Sequence, residues 1–370
     1  MAERFDVIIA GLGAMGSATA FHLARRDCKV LGLDRFHPPH TLGSSHGQSR
    51  IIREAYFEHP LYVPLVQRAY ELWAELQEAS AQKLLVQTGG LMIGPPEGAV
   101  VSGARSSAET HRLRYETLLS EEVRRRFPAI NPQSDMVAVW EPRAGVLFPE
   151  LCVQAHLTQA ERSGATFKFN EPIASWSVSE GAVEVKTSAA TYAARHLVIS
   201  AGSWAKELVP ELPVVVERQV LVWFEQHAPE LFSPERCPIY LFEYQPHKYF
   251  YGFPELGRGV KVARHHEGPP VDPNSTNREV DGEEVTALHQ LVRSFLPDLS
   301  GKALDATVCL YTNMPDEHFL IDRHPNAEQV LVCSPCSGHG FKFSAAIGET
   351  VADLILTGRS RFDLSLFRWR

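Results

Sequence analysis

Between the apolar run Phe5 to Ala10 and a helical pattern at Met15, Ala18, Phe21 and Ala24 stands Gly11-Leu12-Gly13-Ala14-Met15-Gly16. The run reads as a strand, and the three glycines let a tight turn bring its amides close to a phosphate. The helix that follows begins with unsatisfied N–H groups and a partial positive charge, both suited to an anion. A second strand, Lys29 to Leu33, stops at Asp34, whose carboxylate can accept from the hydroxyls of an adenosine ribose. Strand, turn, helix and terminal acid agree, so Gly11, Gly13, Gly16 and Asp34 are read as a dinucleotide site. The acid disfavours a 2′-phosphate, which selects FAD or NAD over NADP. Further along, His196 to Ser200 is an apolar strand ending in Ala201-Gly202, where small residues allow close cofactor approach.

Other reactive side chains are scattered. Lys261 and His265 lie four apart in a strand-like segment, so with Ala263 they line a single face. Arg50 and Arg53, three apart, share a face on a helix and oppose one another on a strand, and spacing leaves both readings open. His339 and Lys342 occupy a loop flanked by Gly338 and Gly340, immediately before a final helix whose positive end can stabilise negative charge. Tyr251 and Tyr311 read equally as pocket walls or as core aromatics. On spacing alone Cys309 reads as a buried structural thiol.

These residues must be held by a chain of 370 residues, enough for two or three domains. Hydrophobic residues make up 44% and charged ones 22%, with a formal net charge of -8. That balance excludes a disordered chain and a dedicated nucleic-acid binder, which needs a broad positive field. No apolar run is long enough to span a bilayer, no signal-peptide pattern precedes the first strand, and six cysteines are too sparse for a disulfide scaffold. A cytoplasmic protein with a small-molecule partner and no membrane is expected. Pro60 to Glu78 carries a helical apolar stripe read as core packing, and the charged stretch 105 to 126 is read as a solvated helix face. Residues 214 to 265, rich in β-branched and aromatic side chains, predict mostly antiparallel sheet, and a helix follows near Glu283 to Phe295. Strand Val330 to Val332 and helix Ser344 to Leu356 return to the first layer. The expected division is 1–85, 150–215 and 320–370 for a cofactor domain, with 86–149 and 216–319 for a second, catalytic one.

Several segments together resemble the monomeric sarcosine oxidase and N-methyltryptophan oxidase family, flavin-dependent amine oxidases of the D-amino-acid oxidase group. They are Pro38-Pro-His-Thr41, Gly43-Ser-Ser-His-Gly-Gln-Ser-Arg-Ile-Ile-Arg53, Tyr251-Gly-Phe-Pro254, Val308-Cys-Leu-Tyr-Thr312, Pro315-Asp-Glu-His-Phe-Leu-Ile-Asp322 and Ser337-Gly-His-Gly-Phe-Lys-Phe343. The resemblance implies an α/β fold, a Rossmann-type FAD domain joined to a substrate domain of antiparallel sheet plus helices. It implies FAD bound covalently through Cys309, with Ser44, His46, Ser49 and Arg50 in the cofactor loop. Arg53 and Lys342 would clamp a substrate carboxylate, Lys261 would favour oxygen reduction, and His265 would contact substrate. The implied reaction is hydride transfer from a secondary amino acid to flavin N5. O2 is then reduced to H2O2 and the imine hydrolysed to formaldehyde plus amino acid. A monomer needing no metal is expected.

Two alternatives stand beside that reading: a related FAD amine oxidase acting on cyclic imino acids, glycated amino acids or D-amino acids, and a dinucleotide-dependent dehydrogenase without oxidase activity. Ser45 and Gln48 depart from the family pattern, which more often shows His and Asp there. Cys333 and Cys336 stand where it has small and apolar residues. Their CxxC spacing lacks the second pair a zinc site requires, and no HExxH or GxSxG occurs.

Overall fold

A computed structural model describes residues 3–179 and 181–369. Strand Glu3–Ala10 pairs in parallel with Val30–Leu33 on one side and Thr191–Ile199 on the other. Thr166–Lys168 and Ala327–Ser334 extend the parallel part, while the hairpin Ile173–Ser179/Ala182–Thr187 and strand Leu320–His324 join antiparallel. Val7, Ile8, Ile9 and Ala10 are all buried, because both faces of this sheet are covered. On one face lies helix Ala14–Ala24, wedged between Pro149–Arg162 and Ser344–Thr357. Its Ala-rich sequence is apolar nearly all round, as a helix buried on several sides must be.

The helix needs glycine at two contacts, one in the turn that enters it and one against helix Ser344–Thr357. A Cβ on Gly16 would collide with the Gly11 carbonyl oxygen, and one on Gly348 would come within 2.5 Å of the Ala18 carbonyl carbon. Helix Ser344–Thr357 ends at Gly358, whose φ of 71° is the left-handed conformation that glycine adopts without cost.

The second sheet runs Leu299–Asn313, Val215–Gln226, Val260–His265, Lys248–Glu255, Ile239–Gln245, Gly90–Gly94, Val137–Glu141, Glu116–Leu119. The aromatic stretch is antiparallel as expected, with one difference. Ile239–Gln245 pairs in parallel with Gly90–Gly94, a partner so distant in sequence that local pattern cannot reveal its direction. Helix Gly282–Val292 is fixed at its start by a reciprocal cap, Glu284 N–H to Asp281 Oδ1 at 2.8 Å and Asp281 N–H to Glu284 Oε2 at 3.2 Å. The stretch 105 to 126 is not one helix face. It comprises the end of helix Ala99–His111, strand Glu116–Leu119 and helix Ser120–Arg126. A small third sheet, Arg50–Ile52, Gly145–Leu147 and Leu85–Gln87, lies at the junction and settles the Arg50/Arg53 question in favour of a short strand with Arg53 just past its end.

The apolar stripe begun at Pro60 becomes a 3-10 turn, Pro60–Tyr62, and helix Val63–Ser80. Trp73 on this helix does more than fill the core. Its Nε1 donates to the Lys342 carbonyl at 2.9 Å, and its ring stacks on Phe341 at 6.2 Å, which pins the turn before the last helix. No helix among the described residues is long and apolar enough to cross a membrane.

Gly348→Val should destabilise the protein by about 1–3 kcal/mol, since the added atoms meet backbone rather than a movable side chain. A thermal midpoint equal to that of the parent would show that the two helices separate freely.

Candidate active site

One cleft runs from the glycine turn to the inner face of the second sheet. Gly11, Gly13, Asp34, Ser44, Arg50, Arg53, Ala201, Gly202, Tyr251, His265, Cys309, Tyr311, Gly338, His339, Gly340 and Lys342 all border it. Gly16, His46, Ser49 and Lys261, which the sequence also singles out, do not. They stand behind its wall.

At the glycine end, Gly11 holds φ at 92° and a Cβ there would strike the backbone of Ser200 and Ala201. Gly202 faces open space. Both Asp34 oxygens already serve the backbone, Oδ2 accepting from Leu12 N–H at 2.7 Å and Oδ1 from Phe36 N–H at 2.8 Å. Each oxygen keeps a second lone pair for a ribose hydroxyl. Ser44 and Ser334 border the same cleft, and each has a buried hydroxyl with no hydrogen-bond partner. Hydroxyls of that kind, beside the glycine turn and the start of helix Ala14–Ala24, fit a large polar cofactor. Ser45, at the family's His position, accepts from Ala14 N–H at 3.3 Å. Gln48 turns away from the cleft to join Leu256 O at 2.8 Å and Trp223 Nε1 at 2.9 Å, tying loop to sheet.

The loop Gly47 to Ser49 is held from both sides. Glu150 Oε1 accepts the Gly47 and Gln48 amides at 2.7 and 3.1 Å. Lys261 Nζ donates to Gly47 O, Ser49 O and Ser49 Oγ at 2.7, 2.9 and 3.1 Å, with the Phe253 ring at 4.6 Å. Burial, with Arg50 next, holds Lys261 well below the ordinary lysine range. The loop in turn places Arg50, which donates to Ser49 O, to Ser44 O and, at 3.4 Å, to the Cys309 sulfur. Cys309 is fully buried on strand Leu299–Asn313, and that burial raises its thiol while Arg50 and Lys261 pull it back.

Tyr311, two residues on, has its hydroxyl 3.2 Å from His265 Nδ1 and 3.4 Å from the Tyr251 hydroxyl. Alternation along Val260–His265 puts Lys261 and His265 on one face as expected, but at different depths: one braces the loop, the other reaches the cleft. Burial, with His266 next, keeps His265 neutral.

Arg53 is 2% exposed, and its Nη2 lies 2.8 Å from both oxygens of Glu58. Its guanidinium also sits 4.2 Å from the centre of the Tyr56 ring. Burial alone would raise Glu58, but Arg53 beside it brings the acid below the usual range. Across from it, Lys342 Nζ donates to His339 O at 2.6 Å and to the Tyr56 hydroxyl at 3.4 Å. Burial, then Arg53, lowers Lys342 to about 7. His339 is pushed by burial to about 3, so its ring is neutral. With Nε2 3.0 Å from Glu317 O, the proton belongs there, and Nδ1 accepts from the Tyr56 hydroxyl at 2.6 Å.

Tyr56, Glu58, Glu141 and Glu150 are not among the residues the sequence singles out. Glu141 carried a signal, closing the apolar run Val137 to Trp140 just before Pro142. Cys333 and Cys336 are free thiols on the cleft wall, and Cys336 Sγ accepts from Thr312 N–H at 3.4 Å. Among the described residues no group of acids, histidines and cysteines could hold a metal ion.

The sequence profile for FAD dependent oxidoreductases matches residues 6–354. The chain is 44% identical to a monomeric sarcosine oxidase of Streptomyces avermitilis, over 99% of its own length and 97% of the relative's. It is 35% identical to an N-methyl-L-tryptophan oxidase of Yersinia pestis, over 98% of each. An open form of NikD, described as an unusual amino acid oxidase essential for nikkomycin biosynthesis, shares the fold at a TM-score of 0.85 and 24% identity, covering 99% of this chain and 97% of that one.

Lys342, protonated below about pH 7 and neutral above it, pairs with an anion only in the acid range. Calorimetric titration with acetate should therefore show affinity falling by up to about tenfold per unit above pH 7, then levelling off on Arg53 alone. Lys342→Met should bind weakly with no such slope; a flat profile in the parent protein would remove Lys342 from the anion site.

Proposed function

The chain belongs to the FAD-dependent oxidoreductase family, and from that premise we propose that it oxidises N-methyl amino acids such as sarcosine or N-methyltryptophan, releasing formaldehyde, the demethylated amino acid and H2O2. The observation that carries this reading is the convergence of Arg53 and Lys342 in the same cleft as the glycine turn and Cys309. Arg53 presents a planar fork to a carboxylate, and Lys342 adds a second charge from another direction. Glu58 borders the same cleft and pairs with Arg53 at 2.8 Å.

Bound FAD supplies the two-electron acceptor and returns those electrons to O2. Gly11, Gly13, Asp34, Ser44, Ala201 and Gly202 would hold its dinucleotide part, and Cys309 would carry it through a thioether to the 8α-methyl carbon, the S–H and C–H bonds giving way as two electrons pass to the flavin and then to O2, with the adjacent Arg50 favouring the thiolate. The residues around the substrate set its protonation. A secondary amine must be neutral for its lone pair to stabilise the developing iminium, and the guanidinium groups of Arg50 and Arg53, joined by Lys342 where it is protonated, disfavour an ammonium there. Neutral His265 and the Tyr251 and Tyr311 rings bound the rest of the pocket without adding charge. We assign residues 1–85, 150–215 and 320–370 to the FAD-binding unit and 86–149 and 216–319 to the catalytic unit, in a protein acting as a monomer.

The direct test is a panel of N-methyl, cyclic and D-amino acids scored for peroxide and formaldehyde. N-methyl compounds should release both, and silence across them would sink the reading. Yellow colour should stay with acid-precipitated polypeptide and be lost to the supernatant in Cys309→Ala; colour lost from the parent would refute the thioether.

Lys261, behind the wall, should act on the oxygen step, where a proton on its amine would stabilise the negative charge that develops. In stopped-flow traces Lys261→Met should slow reoxidation at least tenfold more than reduction. Equal slowing of both would leave it only the task of bracing Gly47 to Ser49.

A further inference from the structure

Glu141 ends strand Val137–Glu141 of the second sheet and is 1% exposed. A carboxylate in such a place is costly unless its oxygens are taken up by donors. Here both are. One accepts the Glu54 amide at 2.7 Å and the other the Ala55 amide at 2.8 Å, across 87 and 86 residues of chain. Neighbouring cations are otherwise engaged: Arg53 with Glu58, and Arg143 with the Glu54 carboxylate at 2.8 Å.

The two amides gripped by Glu141 follow Arg53 directly and precede Tyr56. Arg53 Nη1 donates back to Ala55 O at 3.0 Å, so the Ala55 residue is held at its N–H by the second sheet and at its C=O by the guanidinium. Tyr56 then lies between the two cations, its ring against the Arg53 guanidinium at 4.2 Å and its hydroxyl meeting His339 Nδ1 and Lys342 Nζ. Whatever fixes the Glu54–Ala55 peptide therefore fixes how far apart the two cations of the cleft stand. Burial, partly offset by these two amides, raises the Glu141 acid to about 7, and N–H bonds to both oxygens of one rigidly placed carboxyl group are a stiff way to do so.

We propose that Glu141 is a positioning residue for substrate recognition: by holding the Glu54 and Ala55 amides it sets the separation of Arg53 and Lys342 at which both grip one carboxylate. The inference rests on the carboxylate clamp assigned under the proposed function. It touches neither substrate nor cofactor itself.

The test compares the flavin-loaded parent with Glu141→Gln and Glu141→Asp, measuring FAD content, thermal midpoint, kcat and KM for sarcosine, and the Kd of acetate. Glu141→Gln keeps one acceptor and places an NH2 against the other amide. It should raise KM and the acetate Kd tenfold or more, with kcat at saturation within threefold and FAD content unchanged. Glu141→Asp, a carboxylate on a shorter stem, should recover part of the loss. KM and Kd within twofold of the parent in a loaded, folded Gln variant would overturn the proposal, as would a fall in kcat or FAD content with KM unmoved. Should the variants fail to fold, amide hydrogen exchange on the parent decides: slow exchange at Glu54 and Ala55 is expected, and exchange at exposed-loop rates refutes the grip. A parent that oxidises no N-methyl amino acid would sink the proposed function instead, while the acetate Kd still reads Glu141.

Discussion

Four basic side chains, Arg50, Arg53, Lys261 and Lys342, stand within one small region with little access to water and only one of them in direct contact with a carboxylate. Their mutual repulsion in a poorly screened interior is the constraint that the rest of the structure must satisfy. The fold answers it mainly with backbone carbonyls. Ser44, Gly47, Ser49, Ala55 and His339 each turn an oxygen toward a guanidinium or ammonium, which satisfies the donors without cancelling their charge. The two lysines respond by binding protons less tightly. A cleft of this kind keeps positive potential in reserve for an anionic group and for negative charge that develops during reaction.

The acids that frame it are used in a matching way. Asp34, Glu141 and Glu150 each take up two backbone amides instead of a cation. Asp34 closes the glycine turn, Glu150 fixes the loop that delivers Arg50, and Glu141 fixes the segment that delivers Arg53 and Tyr56. Rigid backbone, not ion pairing, is what presents the reactive groups.

The dinucleotide fingerprint was legible because its physics is local: glycine turn, helix start and terminal acid fall within one βαβ unit, and spacing alone orders them. Lys261 and His265 were legible as sharing a strand face, but their different depths depend on which segment packs against each end. Arg50 and Arg53, whose spacing left helix and strand both open, lie on and just past a short strand, Arg50 beside Cys309 and Arg53 against Glu58. Glu58 and Glu150 were invisible, because a lone glutamate has no signature until a distant amide or guanidinium arrives, and the one hint at Glu141 was its place at the end of an apolar run. Ser45 and Gln48, flagged as departures in cofactor binding, serve a helix start and a loop-to-sheet tie. The parallel pairing of Ile239–Gln245 with Gly90–Gly94 was out of reach for the same reason of distance.

The hydrogen bond between Tyr56 and His339 joins residues 283 positions apart, and Trp73 holds Lys342 across 269. A chain emerging from the ribosome in order presents Arg53 and its aromatic neighbours long before their counterparts exist. Until the turn around Lys342 leaves the exit tunnel, the indole of Trp73 lacks its acceptor and the Arg53 side of the cleft has no Lys342 facing it. Recognition of a ligand by this enzyme is thus a property of the completed polypeptide, and no nascent fragment ending before that turn should acquire it.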